Sequence, residues 1–150
     1  MMSYPTIRVE GTPSGQGSMR AFVVKGRAVL TSTNKKLKPW RKAIADKATL
    51  DGWKPGRGAP LEGRVKLSLA FYFPRPKSHY RKNSQIKDDF LNAFPRADLD
   101  KLVRAVGDAL TGVCWVDDSQ IAMISAFKVY ITAPSTDGYL LIDITDLEDE

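Results

Sequence analysis

The sequence predicts a single α+β domain over residues 1–150, a mixed β-sheet with two main helices packed on one face. Three observations lead there. Val65, Leu67, Leu69, Phe71 and Phe73 fall on one side by period two, the pattern of a strand with one buried face. Leu37, Trp40, Ile44 and Ala48, and again Leu99, Leu102, Val103, Val106 and Leu110, recur at helical spacing. Strand-like segments lie before, between and after these two helices, so neither class of element forms the core alone.

Taken in order, Thr6 to Glu10 alternates Ile7 and Val9 with polar residues and reads as a strand. A loop over residues 11–18 follows, and then Ala21–Val24 and Ala28–Leu30 flank Lys25-Gly26-Arg27 as a hairpin. Asn34 to Leu50 reads as a helix, with Pro39 placed near its first turn, where a missing N–H costs nothing. Lys35, Lys36, Lys38, Arg41, Lys42 and Lys47 are presented outward from it, against the single acid Asp46, as a phosphate-contacting face requires.

Residues 51–60 are rich in Gly and Pro and read as a linker before the strand Val65–Phe73. Residues 74–97 form a long polar arm carrying Arg75, Lys77, Arg81, Lys82 and Lys87; its length predicts a role in contacting DNA or a second subunit. Leu99 to Thr111 is the clearest helix, closed by Gly112. Ile121–Tyr130 and Tyr139–Ile144 read as strands around a turn at residues 134–138, and residues 147–150 as a frayed acidic tail.

Composition restricts the chemistry. One cysteine, Cys114, excludes an internal disulfide and a multi-thiolate zinc site, and one histidine, His79, excludes a histidine-rich metal site. No apolar run approaches a membrane span, and the first residues lack a signal peptide's apolar stretch, so a cytoplasmic location is expected. No Gly-x-x-x-x-Gly-Lys loop is present, which argues against a nucleotide cofactor. Charge is divided unevenly along a chain of net charge +6: residues 1–97 hold 20 of the 23 Lys and Arg, and residues 98–150 hold 11 of the 17 acids. Cations attract a phosphate backbone and clustered carboxylates hold metal ions, the pairing that a metal-dependent nuclease needs.

The acids gather in one stretch, Asp98-Leu-Asp100, Asp108, and Asp117-Asp118-Ser-Gln120. Two residues apart on a helix, Asp98 and Asp100 would point ~200° away from each other, whereas on extended chain they share a face. They converge only where extended chain enters a helix, and the apolar stripe starting at Leu99 puts that junction there. As an N-cap and a first-turn acid they have a purely structural explanation too. Asp117 and Asp118 follow the helix after a short loop, which can return them to its flank. Carboxylates without histidine or thiolate suit a hard cation, Mg²⁺ with Mn²⁺ as substitute. Asp100, Arg104 and Asp108, at i, i+4 and i+8, share one helix face, so Arg104, with Lys101 as a second candidate, stands ready for the scissile phosphate. The Asp/Glu-x-Lys triplet of restriction-type nucleases is absent from the sequence.

Asp98-Leu-Asp100, Asp108-Ala-Leu110, Gly112 and Asp117-Asp118-Ser-Gln120, all within residues 95–121, resemble the RusA family of crossover junction endodeoxyribonucleases, common in phages and prophages. The resemblance implies a homodimeric, Mg²⁺-dependent enzyme that resolves Holliday junctions by paired symmetric nicks. By position it implies that Asp98, Asp100 and Asp118 bind the metal, with Asp117 auxiliary. The family's usual Asn after the second Asp, and its Lys three residues later, are Lys101 and Arg104 here. Arg104 can hold a phosphate, but a guanidinium does not readily give up a proton, so that lysine's acid–base role is open here, with Lys101 as a candidate to supply part of it. The dimer matches a substrate of pseudo-two-fold symmetry, with Trp53, Trp115 or the 74–97 arm as candidate contacts. Two other readings remain open at this point: a catalytically silent protein that binds branched DNA, and a nuclease preferring flaps or forks.

Overall fold

The computed structural model describes residues 2–17, 19–32 and 35–148. Nine-residue β5 (Val65–Phe73) is the spine of the main sheet, and its period-two side chains are buried in register as the pattern predicts. β7 (Tyr139–Asp146) pairs antiparallel with β5 on one side, and β6 (Ile121–Tyr130) pairs parallel with it on the other. The far edge of β7 takes two short strands end to end, β1 (Met2–Ser3) and β2 (Ile7–Glu10), both antiparallel. The parallel pair requires a crossover, and α2 (Leu99–Leu110) supplies it.

β3 (Met19–Val24) and β4 (Arg27–Ser32) form the expected hairpin, which stands as a separate two-stranded sheet. α1 (Leu37–Leu50) begins three residues later than Asn34, which lies outside the described residues. Its Leu37, Trp40, Ile44 and Ala48 enter one apolar core with Leu102, Val106 and Leu110 of α2 and the inward residues of β2, β5 and β7. Both helices thus cover one sheet face. Across the other face Tyr72 stacks on Tyr139 with ring centroids 4.4 Å apart, and Phe127 meets Tyr72 edge-on.

Several expectations are corrected. Residues 51–60 are more than a linker, because Trp53 and Ala59 are buried in the core. Trp115 is fully buried and Trp53 nearly so; both are used up in the chain's own packing and are not free for a partner. The indole of Trp115 donates to Thr111 Oγ1 at 3.1 Å and so satisfies its one polar atom. The tail is anchored at its start: Leu147 is buried, its N–H donates to Arg64 O, and Glu148 pairs with Arg64 at 3.1 Å. Of the candidate contacts named from sequence, the 74–97 arm does expose Leu91 and Phe94, and further exposed apolar side chains lie on β6, at Met123, Ile124, Phe127 and Val129. β6 is also the sheet's open edge.

Candidate active site

α2 places the acids because extended chain turns helical at Asp98. Its backbone is extended (φ −70°, ψ 124°), so Asp98 is the N-cap and Asp100 lies in the first turn. The carboxylate of Asp98 caps no backbone N–H and pairs instead with Lys101 Nζ at 3.3 Å. At the far end, Thr111 leaves the helix and Gly112 takes φ +87°, a left-handed conformation that releases the chain toward β6.

That return is fixed by one side chain. Gln120 Oε1 accepts from the backbone N–H groups of Val116 and Asp117, each at 2.8 Å. Its Nε2 donates to Leu61 O and Gly63 O, also at 2.8 Å. Asp117 reciprocates by accepting from Ser119 N at 3.0 Å, which completes a capping box over the single turn Asp118–Gln120. Both carboxylates are exposed, but Asp117 is engaged as the bracket of the turn and Asp118 is the one that lines a cleft.

Asp118 faces a cleft of about 320 Å³ lined by Asp100, Val103, Arg104, Gly107, Asp108, Ile121 and Ile124 as well. Asp100, Arg104 and Asp108, on one helix face, line this cleft without the ion-pair ladder that their spacing allows. Asp108 reaches across to Arg41 of α1 at 3.5 Å, and Arg104 makes no ion pair among the described residues. The hydrogen bond shared with the Asp117 carboxyl, and then the charge of Asp117, hold Asp118 above the usual carboxylate range; burial and Asp108 add to this. Asp117 is held low, first by the N–H of Ser119 and then by Asp118.

Asp98 does not line the cleft. Among the described residues, no group of three or more carboxylates, imidazoles or thiolates is close enough together to hold an ion. The expected convergence of Asp98, Asp100, Asp117 and Asp118 on one ion is therefore not a preformed cage. The donor set still fits Mg²⁺, which typically takes one or two carboxylates plus water and substrate phosphate. Asp100 and Asp118 offer all-oxygen ligands on one open cleft, and the crowded negative charge at Asp118 is the kind that a cation relieves.

The sequence profile of Endodeoxyribonuclease RusA matches residues 10–137. The chain belongs to the RusA family. RusA enzymes are endodeoxyribonucleases that resolve Holliday junctions, so this protein is a hydrolase acting on DNA. It is also similar to a Bacillus subtilis (strain 168) protein described as "Uncharacterized protein YqaN", 26% identical over 131 residues, or 84% of this chain and 87% of that one. None of the described helices is long and apolar enough to cross a membrane.

The cations assigned to DNA contact by sequence divide in this RusA fold. Lys35, Lys38, Lys77 and Lys82 are exposed. Lys36 is exposed as well and engaged in a local interaction. Arg41 and Lys42 are paired with Asp108 and Asp46, and Arg81 lies 3.6 Å from Asp88. Arg75 turns inward, donating to Phe90 O at 2.8 Å with its guanidinium over the Tyr130 ring. Sequence reading missed the bracing role of Gln120, although Gln120 stood in the motif, and the open edge at β6. It also missed an aromatic cluster in the arm, for which His79, Phe90 and Phe94 in a polar stretch were the available signal.

Proposed function

We propose that this protein nicks four-way DNA junctions by Mg²⁺-dependent hydrolysis, as a homodimer, with Asp100 and Asp118 as the principal cation ligands. The observation that carries the reading is one cleft lined by Asp100, Arg104 and Asp118, from two separate elements, in a RusA-family chain. A bound divalent cation supplies charge neutralisation at the phosphoryl group and eases the ionisation of water. Arg104, with its charge unspent, holds the scissile phosphate in two-pronged fashion and offsets charge developing on its oxygens. Lys101 exchanges Asp98 for a DNA phosphate, which frees Asp98 to join the ligand set. Asp117 acts through position, by fixing the turn that presents Asp118. Lys35, Lys36, Lys38, Lys77 and Lys82 track the flanking backbone, while Arg41, Lys42, Arg75 and Arg81 contribute positive potential from their paired positions.

The dimer answers the substrate's two-fold symmetry, because two nicks need two clefts. β6 suits the contact. It is an open edge bordered by Ile121 and Ile124 of the cleft, and its exposed side chains are largely apolar. The test is cleavage of a labelled synthetic four-way junction in Mg²⁺ and in EDTA, beside Asp118→Asn and Asp100→Asn. Paired symmetric nicks that require the ion and both carboxylates are expected, with junction binding kept in both variants. Wild-type protein that binds the junction but leaves it whole in Mg²⁺ and Mn²⁺ would overturn the reading.

A further inference from the structure

A second cleft, of about 270 Å³, opens beside the N-terminus of α2 and is lined by His79, Phe90, Ala93, Phe94, Arg96 and Tyr130. Its walls are flat. His79 and Phe90 stack almost parallel with centroids 4.1 Å apart, and Tyr130 stands edge-on to the imidazole. Phe94, which lines the cleft, is 69% exposed, so one ring is open to solvent there. Lys128 Nζ lies 5.6 Å from the centre of that ring and donates to Ala97 O at 2.7 Å, which ties the cleft's rim to the residue before Asp98. His79 is buried, and its Nδ1 has no hydrogen-bond partner among the described residues. A buried polar atom left unmet is costly and uncommon in a finished structure.

Aromatic planes, a guanidinium and a ring of cations make a poor seat for an aliphatic chain and a good one for a planar, hydrogen-bonding group on a polyanion. Arg75, Lys87, Arg96 and Lys128 all stand on or around this cleft. Duplex DNA holds its bases in a continuous stack; a branch point interrupts that stack, so a base beside it is displaced at lower cost. Along β6, Lys128 is four residues from Ile124 of the acidic cleft, about 13 Å of strand. That distance spans roughly four 3.4 Å steps of a DNA strand.

We propose that this aromatic cleft receives an unstacked nucleobase from the branch, within about four nucleotides of the cut, and so couples cleavage to branched structure. The inference rests on the junction-nuclease reading above and names the specificity element it needs. The base lies against Phe94 with Arg96 at its edge. His79 forms the inner wall, with its imidazole stacked on Phe90.

The test combines protein and DNA variants. Junctions carrying one abasic site, moved through the four nucleotides on either side of each branch strand's crossover, are bound in EDTA by wild type, Phe94→Ala and Phe94→Trp. Wild type should lose about tenfold in affinity at one or two abasic positions. Phe94→Ala should lose about as much on the intact junction and nothing further on the abasic ones, and Phe94→Trp should behave as wild type. Equal abasic penalties in wild type and Phe94→Ala, or no penalty at any position, would overturn the cleft's assignment while junction cleavage in Mg²⁺ still upheld the nuclease. A change of oligomeric state in Phe94→Ala would likewise overturn it, making Phe94 a subunit contact. No cleavage by wild type would sink both readings together.

Discussion

Asp118 owes its place to a neighbour that carries no charge. The four backbone groups gathered by Gln120 come from two stretches more than fifty residues apart in sequence, 61–63 and 116–117. Gln120→Ala leaves them without that partner and should cost about 1–3 kcal/mol, read from urea melts. Gln120→Glu should recover little, since it keeps the acceptor but turns a second carboxylate oxygen toward two carbonyls. Cys114 provides the opposite case at this scale. It is fully buried, and burial pushes its thiol up to about 12, so it holds almost no thiolate near neutrality. Native protein should resist a thiol reagent that labels one equivalent after denaturation; prompt native labelling would show that the loop after α2 opens. The residue types of the acidic motif were legible because Asp, Gly and Gln each answer a local requirement. The pairing of Asp98 with Lys101 and of Asp108 with Arg41 was not, since sequence spacing permits several partners and only packing chooses one.

Strands and helices were the most legible scale. β5 and α2 fall where apolar periodicity puts them, because burying one face is what makes each element stable, and β6 forms where expected although none of its residues is fully buried. Turns that close on backbone were hidden. A Cβ on Gly138 would stand 2.0 Å from Tyr72 O, so the turn before β7 is pressed against β5. Gly138→Ala should destabilise the fold by about 1–3 kcal/mol, seen as a lower Tm. The arm carries its own signature. Burial, and then the charges of Arg75 and Lys87, hold His79 below its ordinary value, so the folded chain resists protonation there. The unfolded chain binds that proton more readily, so His79's effect on stability is absent above the ordinary value of about 6.5 and destabilising as pH falls below it. Tm should drop between pH 7.5 and 5.5, and His79→Phe should reduce the drop; an unchanged drop would assign it to the carboxylates.

At the level of the whole molecule, β6 is a long, largely apolar edge strand whose lone cation, Lys128, is turned inward onto Ala97 O and does not guard the edge, and the proposed dimer is placed there for that reason. Met123→Glu with Phe127→Glu should convert a dimer to a monomer in light scattering and uncouple the paired nicks, with the fold intact by circular dichroism. Binding should also weaken steeply with salt. Lys38→Ala, on the outer face of α1, should reduce the slope of log K against log[salt] by about one. Of the contacts the sequence suggested, the tryptophans are core, the 74–97 arm exposes Leu91 and Phe94, and the exposed apolar side chains of β6 were hidden because its pattern predicts only half exposure.

β7 lies between the two ends of the chain's history. Ile142 sits between Ile7 on one side and Leu69 on the other, so the middle of the sheet is written near residue 142 while its flanks are written at 7 and 69. During translation every other strand emerges from the ribosome before the one that joins them. Until it arrives, β2 has no ladder to enter and β5 has one open side, so the acids at 100 and 118 ride on an unfinished scaffold. A chain stopped before residue 139 lacks the strand that joins β2 to β5.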